Sequence, residues 1–491
     1  MDRQDVLIIG AGVLGCFAAR ALSAFDLRVT VLEAREDVST GISRANTGIL
    51  YAGYDTKPGT LKSELTLRAS LGAEALCREL AVPMVRRGSL MIACGPRAEG
   101  VLEKKYADGC ANGVPGLRLL SGDETAAMEP HLAGRVTRGL YAPLTGAVDP
   151  WELCIAAYEN ARANGVDFCF RETVRSLARD SEGFLAETER HTYRARAVLN
   201  CAGLAADKVR ELLLPPLIRI FPSAADYLVL DAGSGEFVHH VIFHEPEQKG
   251  KGLTLVPTVD GNLLVGPTER DVCADAPGAT TAAGLAALRS LCEAVVPTLD
   301  LSQTIRSFSA LRPNPYYVHQ EAGRWIRSDR SISNFTVLEE GGLFSLIGIK
   351  TPGLTCAWEL GKHTAALLLR YFGGVGKKAG FDPCRRGIPA PRRMAPAERN
   401  AFLTQNPSYG RILCRCRGIS EGEILEAIRR GAVTLDGVKR RTGAGMGRCQ
   451  SGFCQQRILE LLARETGMPP EAVLLDGPGS APLLGPLEQT R

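Results

Sequence analysis

Two groups of residues in this 491-residue chain have the types and spacing for chemistry. Cys414, Cys416, Cys449 and Cys454 stand in a CxC…CxxxxC arrangement, with the last pair in a glycine-rich stretch ahead of a helical apolar repeat. Four thiolates can hold one tetrahedral ion such as zinc or bridge two irons, and spacing alone does not choose. The second group is Gly10-x-Gly12-x-x-Gly15. It follows the apolar run DVLIIG (5–10), opens the helix-like CFAARALSAF, and precedes a second strand-like run, RVTVLEA (28–34). Gly10 permits a tight turn, Gly12 lets backbone approach a pyrophosphate, and Gly15 lets helix pack on strand. Glu33 is placed to accept hydrogen bonds from a ribose. Strand, glycine turn, helix, strand and acid in that order predict a dinucleotide site, with the helix N-terminus offering N–H groups to the phosphates.

Positioning two such sites takes more than one core. At 491 residues the chain is long enough for two or three domains. The hydrophobic fraction is 45%, and 58 Lys and Arg stand against 54 Asp and Glu. That near-balance argues against nucleic acid as the main partner. No secretory signal opens the chain and no run approaches the ~20 apolar residues of a membrane span, so a cytoplasmic protein is expected, with peripheral contact at the inner face of the cell membrane left open. Fifteen cysteines, an odd number, in a reducing compartment read as core residues and ligands rather than as a disulfide framework. Strand-like pieces at 225–230, 252–259 and 262–268, with VDGN (259–262) as a turn, predict an antiparallel sheet. Residues 376–409, rich in Gly, Pro and Arg, read as a linker.

The polar, glycine-containing segment STGISRANTGILYAG (39–53) follows Glu33 where a regular strand–helix alternation would otherwise continue. Such a loop can run beneath an extended dinucleotide. With IIGAGVLG, AVLNCAGLAADKV, GLTLVPTVDGNLLVGPT, SALRP and GLFSLIGIKTPGLT, it resembles the D-amino-acid-oxidase superfamily of FAD-dependent oxidoreductases. Within that superfamily the similarity is to glycerol-3-phosphate dehydrogenases (the anaerobic type, large subunit) and oxidases and to L-2-hydroxyglutarate dehydrogenase. CRCRGIS and TLDGVKRRTGAGMGRCQSGFC resemble the bacterioferritin-associated-ferredoxin type of [2Fe–2S] domain.

The resemblance implies an α/β Rossmann-like FAD-binding domain (1–75, 135–215 and 326–375) and an α+β antiparallel-sheet substrate domain (76–134 and 216–325). After the linker come a small, mainly helical [2Fe–2S] domain (410–475) and a tail (476–491). Beyond Gly10, Gly12, Gly15 and Glu33, it implies FAD contacts at Ser43, Asn46, Thr47, Val174, Gly203, Gly348, Lys350, Thr351, Gly353, Leu354 and Thr355. Thr351 is expected to cap the flavin-facing helix and Pro352 to occupy its first turn. The cluster would sit on Cys414, Cys416, Cys449 and Cys454. Arg312 would grip a small anionic substrate with two hydrogen bonds, and Lys251 would face the same anion. Tyr51 stands where relatives carry histidine, and it would take a proton only if its pKa fell well below about 10. The implied reaction is oxidation of glycerol 3-phosphate to dihydroxyacetone phosphate, with electrons leaving through the cluster to a partner subunit or quinone. Two alternatives are a dehydrogenase of a 2-hydroxy acid or an opine-like amino or imino acid, and an FAD/iron–sulfur electron-transfer subunit without substrate turnover.

Overall fold

The computed structural model describes residues 3–132, 134–247, 252–273 and 278–485. Lys251 lies outside the described residues. Strand Gln4–Ile9 runs parallel to Val29–Glu33 on one side and to Thr192–Asn200 on the other, and Val29–Glu33 runs parallel to Asp167–Phe170. Leu343–Leu346 adds to Thr192–Asn200, again in parallel. These strands read as unbroken apolar runs because both faces of the sheet are covered. Val6 and Ile8 face the helices Val13–Leu22, Pro150–Ala163 and Gly353–Tyr371, while Leu7 faces the antiparallel strands Val174–Asp180 and Gly183–Thr188. Helix Pro150–Ala163 starts where its sequence says it should: the Asp149 carboxylate accepts from the N–H groups of Trp151 and Glu152, and Pro150 fills the first position.

A second, ten-stranded sheet is built around Ile218–Leu230 and Thr304–Glu321, two long antiparallel strands in register from Ile218 opposite Tyr317 to Leu230 opposite Thr304. The expected turn at 259–262 joins Thr254–Pro257 to Leu263–Gly266. Strand Arg138–Ala142 pairs with Ser89–Ala93 in this sheet, so the expected boundary at 135 falls just ahead of a strand of the second sheet.

The C-terminal segment has its own core. Helices Glu421–Arg429, Leu435–Thr442 and Gln455–Thr466 and a two-stranded ribbon bury Ile424, Ile428, Val438, Ile458 and Leu462. The stretch 376–409 is a fastened strap rather than a free linker. Buried Arg385 bridges Glu152 and Glu159 at 2.6 Å each, and Asn160 donates to the carbonyls of Asp382 and Cys384.

The firmest tie between the first and last parts of the chain is Asp37. It is buried, takes two hydrogen bonds from Arg441 (2.6 and 2.8 Å) and one from Arg440 (3.1 Å). Burial works against its charge, yet the two guanidiniums hold its carboxyl below the ordinary carboxylate value. Removing one member of a buried ion pair leaves the other uncompensated. Asp37→Ala is therefore expected to cost about 3–5 kcal/mol of the docking and folding free energy. Thermal unfolding and faster proteolytic nicking of the strap would register the loss. Wild-type resistance in the variant would show the pair to be dispensable.

Candidate functional site

A cavity of about 990 Å³ runs between the two sheets. Its volume is at the upper end for cofactor and ligand sites. Its wall includes Gly10, Gly12, Glu33 and the 172–175 segment together with Tyr51, Tyr227, Arg312 and Lys350. Ser43, Asn46, Thr47, Val174, Gly203, Thr351, Gly353, Leu354 and Thr355 also line it.

The glycine turn shows why side chains are excluded. Gly10 has φ +104°, and a Cβ there would stand 2.6 Å from the Cys201 carbonyl oxygen; a Cβ on Gly15 would stand 1.9 Å from the Gly10 oxygen. Gly15 thus permits helix–strand packing and does not itself face the cavity. Gly348 is likewise absent from the wall: a Cβ would run into the Pro315 ring at 2.4 Å. Gly15 has the packing role its place in the triplet predicts, and Gly348, for which the resemblance implied a cofactor contact, packs against Pro315 and does not line the cavity. Glu33 accepts from the Ala11 N–H (2.8 Å) and the Arg35 N–H (2.9 Å), and its carboxylate keeps lone pairs for a ribose. Ser43 accepts from the Val13 N–H at 3.0 Å, tying the 39–53 loop to the helix start. Gly10→Ala would add roughly 1–3 kcal/mol of backbone strain plus the collision. We expect protein purified with a clearly reduced flavin-to-protein absorbance ratio; full flavin occupancy would contradict this reading of the turn.

The helix Gly353–Tyr371 is not capped by Thr351, as expected from sequence. Pro352 occupies the cap position, no side chain caps the helix, and Thr351 is exposed on the cavity wall. The first-turn N–H groups are thereby left without side-chain acceptors next to the cavity, where they favour negative charge. Thr355 accepts from the Tyr51 N–H (3.0 Å) and donates to the Ile49 carbonyl (3.2 Å), pinning the 49–51 segment to this helix.

Arg312 and Asn314 share a face of their strand, two residues apart. Arg312 lies near the Tyr227 hydroxyl and 3.9 Å from Glu269. Burial works against its charge, but these groups and Tyr51 raise its pKa above the ordinary value. Lys350 donates to Ser331 Oγ (2.8 Å) and Asn314 Oδ1 (3.4 Å). Burial first, then the positive charges of Lys62 and Arg312, lower its ammonium pKa. Lys62 sits at the start of helix Leu61–Glu79. Lys62 and Tyr227 carry no signal in the sequence; both are ordinary residues of a helix start and a strand until the tertiary fold brings Lys62 near Lys350 and Tyr227 near Arg312.

Tyr51 stacks on Phe243, with ring centroids 5.9 Å apart. Burial, and then the nearby Asp55 carboxylate, push its hydroxyl pKa up, opposite to what a base would need. The condition set for Tyr51 as proton acceptor, a lowered pKa, is therefore not met: its surroundings favour the neutral phenol. His244 also borders the cavity, one strand position after Phe243, which packs with Tyr51; burial lowers the His244 imidazole pKa, and its Nδ1 is buried without a hydrogen-bond partner among the described residues. Tyr51→Phe should cost no more than about tenfold in kcat/KM, the worth of one neutral hydrogen bond, and leave the pH profile unchanged. A lost ionisation in that profile would restore Tyr51 as an acid–base group.

The four C-terminal cysteines come together as predicted. Cys416 Sγ lies 3.9 Å from Cys414 Sγ and 3.7 Å from Cys449 Sγ, and Cys454 is a near neighbour of Cys414. About 3.8 Å is the edge of a tetrahedron with metal–sulfur bonds of about 2.3 Å. The sulfurs form an open chain, and among the described residues no three His, Cys, Asp or Glu side chains already converge on one point. Cys454, joined by the N–H groups of Gly445 and Arg417, pulls the Cys414 thiol down to about 5 despite burial. Helix Gln455–Thr466 begins directly after Cys454, so the positive end of its dipole lies beside that sulfur.

The glycine turn, the two-sheet cavity and the thiolate group define an FAD-dependent oxidoreductase with an appended iron–sulfur module. Residues 5–367 match the FAD dependent oxidoreductase family, to which the chain belongs, and residues 412–464 match the BFD-like [2Fe-2S] binding domain. The chain is 39% identical over 484 residues, 98% of each protein, to glycerol 3-phosphate dehydrogenase of Caloramator mitchellensis. It is 28% identical to glycerol 3-phosphate oxidase of Mycoplasma pneumoniae over 75% of this chain and 95% of that one. The solved, dithionite-reduced L-alpha-glycerophosphate oxidase of M. pneumoniae with FAD bound superposes with a TM-score of 0.70 at 26% identity, covering 78% of this chain and 99% of that one. The protein is an FAD enzyme homologous to glycerol-3-phosphate dehydrogenases, and it carries a BFD-like [2Fe-2S] binding domain within which the four cysteines fall. Among the described residues no helix is long and apolar enough to cross a membrane.

Proposed function

We propose that the protein oxidises glycerol 3-phosphate to dihydroxyacetone phosphate and passes the electrons to a separate acceptor by way of its C-terminal module. The observation that carries this reading is that the likeness to a glycerol 3-phosphate dehydrogenase runs through both modules, over 98% of each chain. When bound, FAD supplies a two-electron acceptor and the [2Fe–2S] cluster a one-electron relay.

The chain's own residues would do the rest. Gly10, Gly12, Glu33, Ser43 and the start of helix Gly353–Tyr371 would hold the cofactor. Cys414, Cys416, Cys449 and Cys454 would hold the cluster. Arg312 would grip the anionic group of the substrate through paired N–H donors, a geometry a lysine could not supply. Lys350 would take the hydroxyl proton. Its amine is the cavity-wall group whose charged form is disfavoured by burial and by neighbouring cations, the condition for a lysine to act as a base near neutral pH. Lys62 supplies part of that electrostatic pressure.

A second reading, oxidation of a 2-hydroxy acid, is favoured by one observation: the chain is 27% identical over 280 residues to the human mitochondrial L-2-hydroxyglutarate dehydrogenase. An anaerobic substrate panel separates the two. Glycerol 3-phosphate should bleach the flavin band within one mixing, and L-2-hydroxyglutarate or amino acids should not. Bleaching by a 2-hydroxy acid alone would move the assignment to the second reading. Bleaching by none would leave an electron-transfer subunit without turnover.

A further inference from the structure

The sulfurs of the cluster site are not equally covered. Cys414 and Cys454 are buried, Cys449 is partly so, and Cys416 is exposed. In sequence there is no Asp or Glu between 399 and 420 or between 437 and 459, and the acids that reach these stretches, Asp260 and Asp231, come from the second sheet and its turns. Most cations of these stretches are spent on internal contacts. Arg440 and Arg441 hold Asp37, and Arg417 holds Asp260 at 2.8 Å. Arg415, the residue between the two ligands of the CxC pair, is exposed and makes no ion pair among the described residues. Arg448, which precedes ligand Cys449, touches Asp231 yet leaves 73% of its side chain in solvent.

Beside them stands Phe453, 79% exposed and directly before ligand Cys454. The loop that presents it is held in an unfavourable backbone conformation, with Gln450 and Ser451 at φ +46° and +76°. Gln450 is fixed by hydrogen bonds to Gly447 and from Arg306. A phenylalanine presented to water on a fixed loop, flanked by arginines, has the composition of an interface hot spot.

We propose that this surface, Phe453 with Arg415 and Arg448 around Cys416, is where an acidic electron-carrier protein docks. The proposal rests on the dehydrogenase reading above. A second copy of the chain would place cation against cation, so the charge selects an acidic partner. The small patch suits the brief encounter typical of electron-transfer pairs. The stoichiometry closes with a one-electron carrier. Oxidising glycerol 3-phosphate breaks one C–H and one O–H bond, forms C=O, and releases two electrons and two protons. Two carriers each take one electron, and both protons go to solvent.

The test needs no substrate, so it is independent of which alcohol the enzyme oxidises. Holoenzyme reduced with stoichiometric dithionite is mixed anaerobically, by stopped flow, with oxidised flavodoxin as the acidic probe, with a basic cytochrome c, and with the neutral quinone menadione. Flavodoxin reduction should slow as ionic strength rises from about 0.01 to 0.15 M, where the screening length falls from about 30 to 8 Å. It should also fall at least about tenfold in Phe453→Ser and in Arg415→Glu, the scale of a hot-spot loss. Menadione rates and the paramagnetic resonance of the reduced cluster should not change in those variants. Wild-type flavodoxin rates in both variants, with that resonance intact, would overturn the proposal. So would faster transfer to cytochrome c than to flavodoxin at low salt, or transfer to menadione that outpaces flavodoxin throughout.

Discussion

Replacing Arg312 with methionine is expected to lower kcat/KM for glycerol 3-phosphate by thirtyfold to a few thousandfold. The estimate follows from removing one partner of a buried charge-assisted pair, which costs about 2–5 kcal/mol. Methionine keeps much of the volume and leaves the Tyr227 hydroxyl, near Arg312 in the free site, without that neighbour. Flavin content should not fall, because among the described residues Arg312 makes no bond to the glycine turn or to Glu33, whose partners are Ala11 and Arg35. Arg312→Lys should recover little, since an ammonium cannot present two parallel donors to one anion. Steady-state kinetics with a dye acceptor, beside the flavin spectrum of each variant, check both statements. A variant with normal kcat/KM would remove Arg312 from the substrate site.

The second large effect belongs to Lys350. If its neutral amine takes the hydroxyl proton, Lys350→Met should lower kcat by roughly 10²–10⁴, the usual contribution of a positioned acid–base group. The sign of the pH dependence follows. The active form is deprotonated, so kcat/KM should rise as pH rises through the Lys350 pKa and level off above it. Because burial, Lys62 and Arg312 lower that pKa from the ordinary lysine value, the rise should fall below the range of a solvated lysine. Lys62→Met removes one of the positive neighbours and should shift the rise to higher pH while kcat on the plateau stays near wild type. Lys350→Met should lose the rise altogether. A profile that keeps its rise in Lys350→Met would assign the proton to another group.

Much of this architecture was legible in the chain before the fold was known, for reasons that are local. A glycine triplet between two apolar strands has one physical use, and the structure shows the collisions that enforce it at Gly10 and Gly15. The cysteine module is similarly compact in sequence: two ligands two residues apart, two more five residues apart, and a helix immediately after. What stayed hidden depended on pairing at long range. Tyr227 meets Arg312 only through the register of two long strands, with Ser223 opposite Arg312 and Tyr227 opposite Phe308. No spacing rule announces that register. The bond from Asp37 to Arg441 spans 404 residues, and Asp37 alone reads as a polar loop residue. The direction of the Tyr51 pKa stayed open in the sequence because it is set first by burial, which only the packed fold reveals, and then by Asp55 four residues on. Thr351 looked like a cap from composition, yet the Gly/Pro turn leaves the helix end bare beside the cavity.

The most direct measurement of the whole account is anaerobic mixing of the purified holoenzyme with glycerol 3-phosphate, followed in parallel by flavin absorbance and by freeze-quenched paramagnetic resonance. The account predicts that the flavin band bleaches and that the signal of a reduced [2Fe–2S] cluster then appears in the same sample, with dihydroxyacetone phosphate formed in proportion. A flavin that stays oxidised, or one that is reduced while the cluster signal never develops, would contradict it.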